Sequence, residues 1–113
     1  MKAIFMGTPD FAVPCLKSLC DVAEVIAVIT QPDKPKGRGQ AVQFPPVKEY
    51  AISAGLNVYQ PEKIKNNTEV MEKLKSISPD FFAVVAYGKI LPQDILDIPK
   101  TAPVNVHFSL LPK

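Results

Sequence analysis

The chain has 113 residues, 47% of them hydrophobic and 21% charged, the balance of an ordinary soluble globular domain. Five glycines and twelve prolines fall short of a low-complexity composition but predict short elements with frequent stops. A net charge of +2 gives no case for a nucleic-acid or anionic-membrane partner from bulk charge, and no apolar run approaches the ~20 residues of a membrane span. Residues 1–20 lack a signal peptide's basic start, apolar core and small-residue cleavage site, so the expected location is cytoplasmic.

Residues 2–7 read as an opening strand. Residues 11–19 read as a short helix, with Pro14 tolerated in its first turn. Residues 25–30 form a β-branched run interrupted only by Ala27, a second strand. Residues 31–43 hold Pro32, Pro35, Gly37 and Gly39 with no apolar period, and read as a loop. Residues 46–54 predict a helix that stops at Gly55. A brief strand follows at 57–59. Residues 68–76 carry Val70, Met71 and Leu74 at helical spacing, with Ile77 just beyond and Asn67 as the cap. Residues 81–86 are a buried strand, 92–97 a short helix and 104–108 the last strand.

Strands alternate with helices throughout, which predicts an α/β fold: a mostly parallel, Rossmann-like sheet with helices on both faces. The strands are apolar along their length, as strands covered on both faces must be. In such sheets ligands bind outside the carboxyl ends of the strands, so the strand-end segments are where chemistry is expected.

Four segments stand out. Along a strand at 104–108, Asn105, His107 and Ser109 share one face and Val104, Val106 and Phe108 the other. That polar face is either a hydrogen-bonded core histidine with a turn serine, or a transfer site. In the second case the Asn105 amide serves an oxyanion and the His107 imidazole moves protons. His107 is the one histidine. With Cys15 and Cys20 five apart, neither a redox pair nor a zinc pair, a tight zinc site is not expected. Both cysteines read as small residues without chemistry.

The segment from Gly7 to Phe11 sits where a dinucleotide fold carries its phosphate loop. It lacks the G-x-G-x-x-G pattern, and Pro9 removes a backbone donor, which argues against a dinucleotide site. Lys34, Lys36 and Arg38 bring three cations into five residues, either as a solvated surface loop or as a basic finger for a phosphate backbone. Gly88, after a buried strand, either makes a plain turn or lets backbone approach a ligand.

Taken in order, Gly7-Thr8-Pro9-Asp10-Phe11, the stretch from Thr30 to Gly39, Pro45-Pro46-Val47-Lys48, Val85-Ala86-Tyr87-Gly88 and the stretch from Asn105 to Pro112 carry a family resemblance. The chain closely resembles the N-terminal part of the methionyl-tRNA formyltransferase family. The Asn-x-His-x-Ser-Leu-Leu-Pro pattern is shared with the wider formyltransferases acting on glycinamide ribonucleotide and amino sugars. The Gln-Pro-Asp-Lys-Pro and Pro-Pro-Val-Lys segments point to the tRNA enzymes.

The resemblance implies transfer of a formyl group from 10-formyltetrahydrofolate to the amino group of methionyl initiator tRNA, without a metal. It implies that Asn105 orients the formyl oxygen and His107 assists proton movement. It places Gly88, Lys89 and Ile90 against the pterin, and Ser109, Leu110, Leu111 and Pro112 along the folate site. Lys34, Lys36 and Arg38 match a loop that meets the tRNA acceptor end. Phe108 departs from the family, which holds a small residue there. The resemblance covers residues 1–113 as the first part of a catalytic domain. A catalytic Asp and a C-terminal domain are expected beyond Lys113, the 113-residue chain is expected to be inactive alone, and the complete enzyme is expected to be a monomer. The alternatives are a formyltransferase for an amino sugar or small amine, and a non-catalytic folate- or nucleotide-binding module.

Overall fold

The structure, a computed structural model, describes residues 1–35, 42–88, 91–100 and 104–105. The elements follow the predicted alternation. Strand β1 spans Lys2–Gly7, a 3-10 turn spans Asp10–Ala12 and helix α1 spans Val13–Val22. Strand β2 spans Glu24–Ile29, and two-residue strands β3 (Lys34–Pro35) and β4 (Val42–Gln43) follow. Helix α2 spans Pro46–Ser53, β5 spans Asn57–Tyr59, α3 spans Thr68–Ile77 and β6 spans Phe81–Val85. Helix α4 spans Gln93–Leu96 and β7 spans Val104–Asn105.

Local chemistry accounts for the helix ends. Pro14 occupies the first turn of α1, where its missing N–H costs nothing. Asn67 caps α3, its side-chain oxygen accepting from the Val70 N–H at 3.1 Å. Gly55 takes φ +76° just past α2, as expected of its stop signal. Two expectations change. The first helix begins as a 3-10 turn and runs on to Val22. The 31–43 segment is not wholly loop, because β3 and β4 pair antiparallel, Lys34 with Gln43 and Pro35 with Val42. Of the last predicted strand, Val104 and Asn105 pair with β6, and 106–108 lie outside the described residues.

Among the described residues, five strands form one parallel sheet in the order β5-β2-β1-β6-β7. The central strand β1 is buried on both faces: Ala3, Ile4, Phe5 and Met6 are fully inaccessible. Its alternation divides the core. Ile4 and Met6 join Phe82, Ile29, Leu74 of α3 and Ile95 of α4 on one face. Phe5 joins Val28, Val85, Leu16 of α1 and Val47 and Ala51 of α2 on the other. Burying each of the larger side chains contributes about 1.5–3 kcal/mol.

One irregularity keeps β2 in phase with both cores. Ala3 pairs with Val25 but Ile4 pairs with Ala27, so Ile26 is an extra residue in β2. The bulge puts Val25 and Val28 in the same core although they are three apart, and Ala27 and Ile29 in the other.

The chain winds from β1 outward through β2 to β5, then returns to the far side of β1 for β6 and β7. The order therefore reverses between β1 and β6. The crevice outside the carboxyl ends of these two strands is the topological switch point, where open α/β sheets hold ligands.

Candidate functional site

Three segments meet at that switch point: Gly7-Thr8 at the end of β1, Thr30-Gln31 after β2 and Ala86-Tyr87-Gly88 after β6. Their centre is a main-chain carbonyl. The Thr8 hydroxyl donates to the Tyr87 oxygen at 2.9 Å, and the Gln31 side-chain Nε2 donates to the same oxygen at 3.0 Å. Thr8 in turn accepts from the Thr30 hydroxyl and from the Gln31 backbone N–H, each at 3.4 Å. A threonine hydroxyl has one donor and two acceptor positions, and a carbonyl has two acceptor positions. All of these are used. Thr30, fully buried, has its hydroxyl satisfied in the same way.

The network fixes an otherwise unfavourable backbone. Ala86 has φ +53° and Gly88 φ +95°, so left-handed residues flank Tyr87 on both sides. Such conformations cost of order 1 kcal/mol or more for a residue with a Cβ, and persist where the surroundings over-determine them. A Cβ on Gly88 would overlap the Gln31 side-chain amide. Gly7, last residue of β1, serves close packing: a Cβ there would lie 2.7 Å from the Val85 carbonyl oxygen. The Tyr87 ring is buried in the α3-side core, and burial pushes its hydroxyl up to about 12. That hydroxyl has no hydrogen-bond partner among the described residues.

A second, charged network holds the start of the 31–43 segment. Lys48 Nζ donates to both Asp33 oxygens, at 3.0 and 2.9 Å, and Gln60 Nε2 donates to Asp33 Oδ1 at 2.6 Å. Gln60 also donates to the Gln31 carbonyl at 3.1 Å, which joins the two networks. Lys48 Nζ lies 3.8 Å from the centre of the Phe44 ring, a cation–π contact. The Lys48 hydrogen bond, seconded by Gln60, holds the Asp33 carboxyl below the usual carboxylate range.

Of the residues singled out in the sequence, Gly88 stands at the switch point with φ +95°, and the Gln31 amide fills the space a Cβ would take there. Asn105 lies on β7 and pairs with Val84 of β6, which brings it to the neighbouring strand of the same sheet. Lys34 lies on β3, at the foot of the basic segment. His107, Lys36, Arg38, Lys89, Ile90, Ser109, Leu110, Leu111 and Pro112 lie outside the described residues. Sequence reasoning did not assign Thr8, Gln31 or Tyr87. Their available signal was position: each follows directly on an apolar strand. Cys15 and Cys20 are free thiols raised by burial, consistent with packing alone. No group of three or more metal-ligating side chains occurs among the described residues, and no helix among them is long and apolar enough to cross a membrane.

A parallel α/β sheet with both faces covered and a strand order that reverses between β1 and β6 defines a doubly wound protein. A formyl transferase family profile matches residues 1–113, and the chain belongs to that family. The chain is 57% identical over 112 residues to the methionyl-tRNA formyltransferase of Clostridium botulinum (strain Alaska E43 / Type E3), covering 99% of this chain and 36% of that protein. It is 58% identical over 113 residues to the methionyl-tRNA formyltransferase of Clostridium perfringens (strain 13 / Type A), covering 100% and 37%. The chain thus spans little more than a third of the length of these curated relatives. Among solved structures, glycinamide ribonucleotide transformylase 1 from Geobacillus kaustophilus superposes with a TM-score of 0.63 at 23% identity, over 98% of this chain and 59% of that one. The equivalent protein from Symbiobacterium toebii gives 0.63 at 19% identity, over 98% and 52%. These two share the fold.

Proposed function

We propose that this chain forms the first part of the catalytic domain of a methionyl-tRNA formyltransferase, acting in translation initiation. The protein then transfers a formyl group from 10-formyltetrahydrofolate, its co-substrate, to the amino group of methionyl initiator tRNA. The observation that carries this reading is 57–58% identity to methionyl-tRNA formyltransferases along essentially the whole chain.

In this reading the attacking amine forms a bond to the formyl carbon and the oxygen takes up negative charge. The Asn105 amide donates a hydrogen bond to that oxygen. The His107 imidazole takes the proton the amine must lose and returns one to the departing folate nitrogen as its bond to carbon breaks. Gly88, Lys89 and Ile90 line the pterin, and Ser109, Leu110, Leu111 and Pro112 border the folate. Lys34, Lys36 and Arg38 meet the phosphates of the acceptor end. The protein acts in the cytoplasm as a monomer, and a catalytic Asp and a further domain come from outside these 113 residues, so the chain alone is inactive.

The test is kinetic, on the complete protein carrying this chain. His107→Ala and Asn105→Ala should each lower kcat for formyl transfer about 100- to 1000-fold with the protein still folded. Full turnover by His107→Ala would refute the assignment. Replacing Lys34, Lys36 and Arg38 by Ala should weaken tRNA binding and flatten its salt dependence. Unchanged tRNA affinity would favour a smaller amine substrate.

A further inference from the structure

We propose that Gln31 is a positioning residue for the formyl donor: its side-chain amide fixes the backbone turn at Tyr87-Gly88 against which the folate ring sits. The proposal rests on the folate assignment of Gly88 made above.

Four observations bear on this one residue. Gln31 Nε2 donates to the Tyr87 oxygen at 3.0 Å across 56 residues of sequence, completing that carbonyl's acceptor capacity beside Thr8. The same amide fills the space where a Cβ of Gly88 would stand. Hydrogen bond and packing therefore act on consecutive residues from one group. Both neighbours of Tyr87 are in left-handed backbone, φ +53° at Ala86 and +95° at Gly88, a geometry that needs outside support. Gln31 is itself immobilised, its N–H donating to Thr8 Oγ1 at 3.4 Å and its carbonyl accepting from Gln60 at 3.1 Å.

The consequence is specific. The Tyr87–Gly88 peptide plane is held by two donors, and the plane sets where the backbone at Gly88 points. Removing the Gln31 donor leaves Thr8 alone and frees one side of the carbonyl. A ligand that rests on this backbone loses its prepared surface, while the amine-side chemistry at Asn105 and His107 is untouched. Gln31 also opens the 31–43 segment, and Gln60 connects it to Asp33 at 2.6 Å. The formyl-donor turn and the foot of the basic loop are thus tied through one residue.

The experiment compares wild type, Gln31→Met and Gln31→Ala in the complete protein carrying this chain. Methionine keeps the length and volume of the side chain without the N–H donor. The readouts are kcat, KM for 10-formyltetrahydrofolate, KM for methionyl initiator tRNA, thermal stability, and the Kd of 5-formyltetrahydrofolate as a non-transferring probe. Both variants should raise the KM for the formyl donor and the Kd of the probe about five- to tenfold, the scale of one lost hydrogen bond. The kcat and the KM for tRNA should change less than twofold. A formyl-donor KM unchanged in Gln31→Met, with wild type active, overturns the proposal alone. So does a uniform loss in every parameter together with a fall in thermal stability, which marks a merely structural role. Wild type that transfers no formyl group from this donor overturns the functional reading and the proposal with it.

Discussion

The two networks that meet at Gln31 differ in kind. At the switch point, Thr8, Thr30, Gln31 and the Tyr87 carbonyl form a neutral set in which the donor and both acceptor positions of the Thr8 hydroxyl and both acceptor positions of the Tyr87 carbonyl are used. At the foot of the basic segment, Asp33 is held by Lys48 and Gln60, a charged set partly open to solvent. A neutral, saturated network holds one backbone geometry at any pH and leaves no side-chain group to react. A charged, partly exposed one is weaker per contact, screened by salt and dependent on protonation. The first suits a surface that must be ready before its ligand arrives. The second suits an anchor for the segment proposed to meet the tRNA phosphates.

The largest effect expected from breaking this contrast is at Gly88. Gly88→Ala places a Cβ on the Gln31 amide in a left-handed residue, and should cost about 3 kcal/mol in urea unfolding. The double variant Gly88→Ala with Gln31→Ala should cost less than the sum of the two singles, because the overlap is gone while the left-handed strain stays. Thr8→Val should cost about 1–3 kcal/mol, since it strands the Gln31 N–H and the Thr30 hydroxyl and halves the support of Tyr87. That loss should be the same at pH 4 and pH 8.

Asp33 should behave otherwise. Its folded carboxyl titrates below the usual 3.8, held down by the Lys48 and Gln60 hydrogen bonds. The Asp80 carboxyl is lowered too, first by the Lys2 backbone N–H. A depressed carboxylate adds stability that is present above its unfolded pKa and is lost as pH falls through the folded value. Stability should therefore hold steady down to about pH 4 and decline below it. Lys48→Met should shrink that acid-side slope and give the smallest loss of the series near neutral pH. An unchanged acid slope in Lys48→Met would contradict the assigned cause.

Much of the fold was legible because its signals are local. The β-branched run at Val25 to Ile29, the Asn67 cap and the Gly55 stop each act within a few residues, and each does what its chemistry predicts. The bulge at Ile26 was not legible, because no glycine or proline marks it and only pairing with β1 reveals it. The β3–β4 ladder was hidden by prolines that argue for a loop. The same division holds at the site. Asn105 announces itself as a polar residue in an apolar strand. Gln31 does not, because its partner is a main-chain carbonyl 56 residues away, and a carbonyl has no letter in the sequence.

The central claim is that this chain supplies the folate-facing part of an enzyme that formylates the methionyl amine on tRNA. The most direct measurement gives the complete protein carrying this chain 10-formyltetrahydrofolate labelled in the formyl carbon, with methionyl initiator tRNA, glycinamide ribonucleotide and an amino sugar nucleotide in competition. The account predicts label on the methionyl amine of the tRNA and none on the other two. Label on either small amine, or on no acceptor at all, would contradict it.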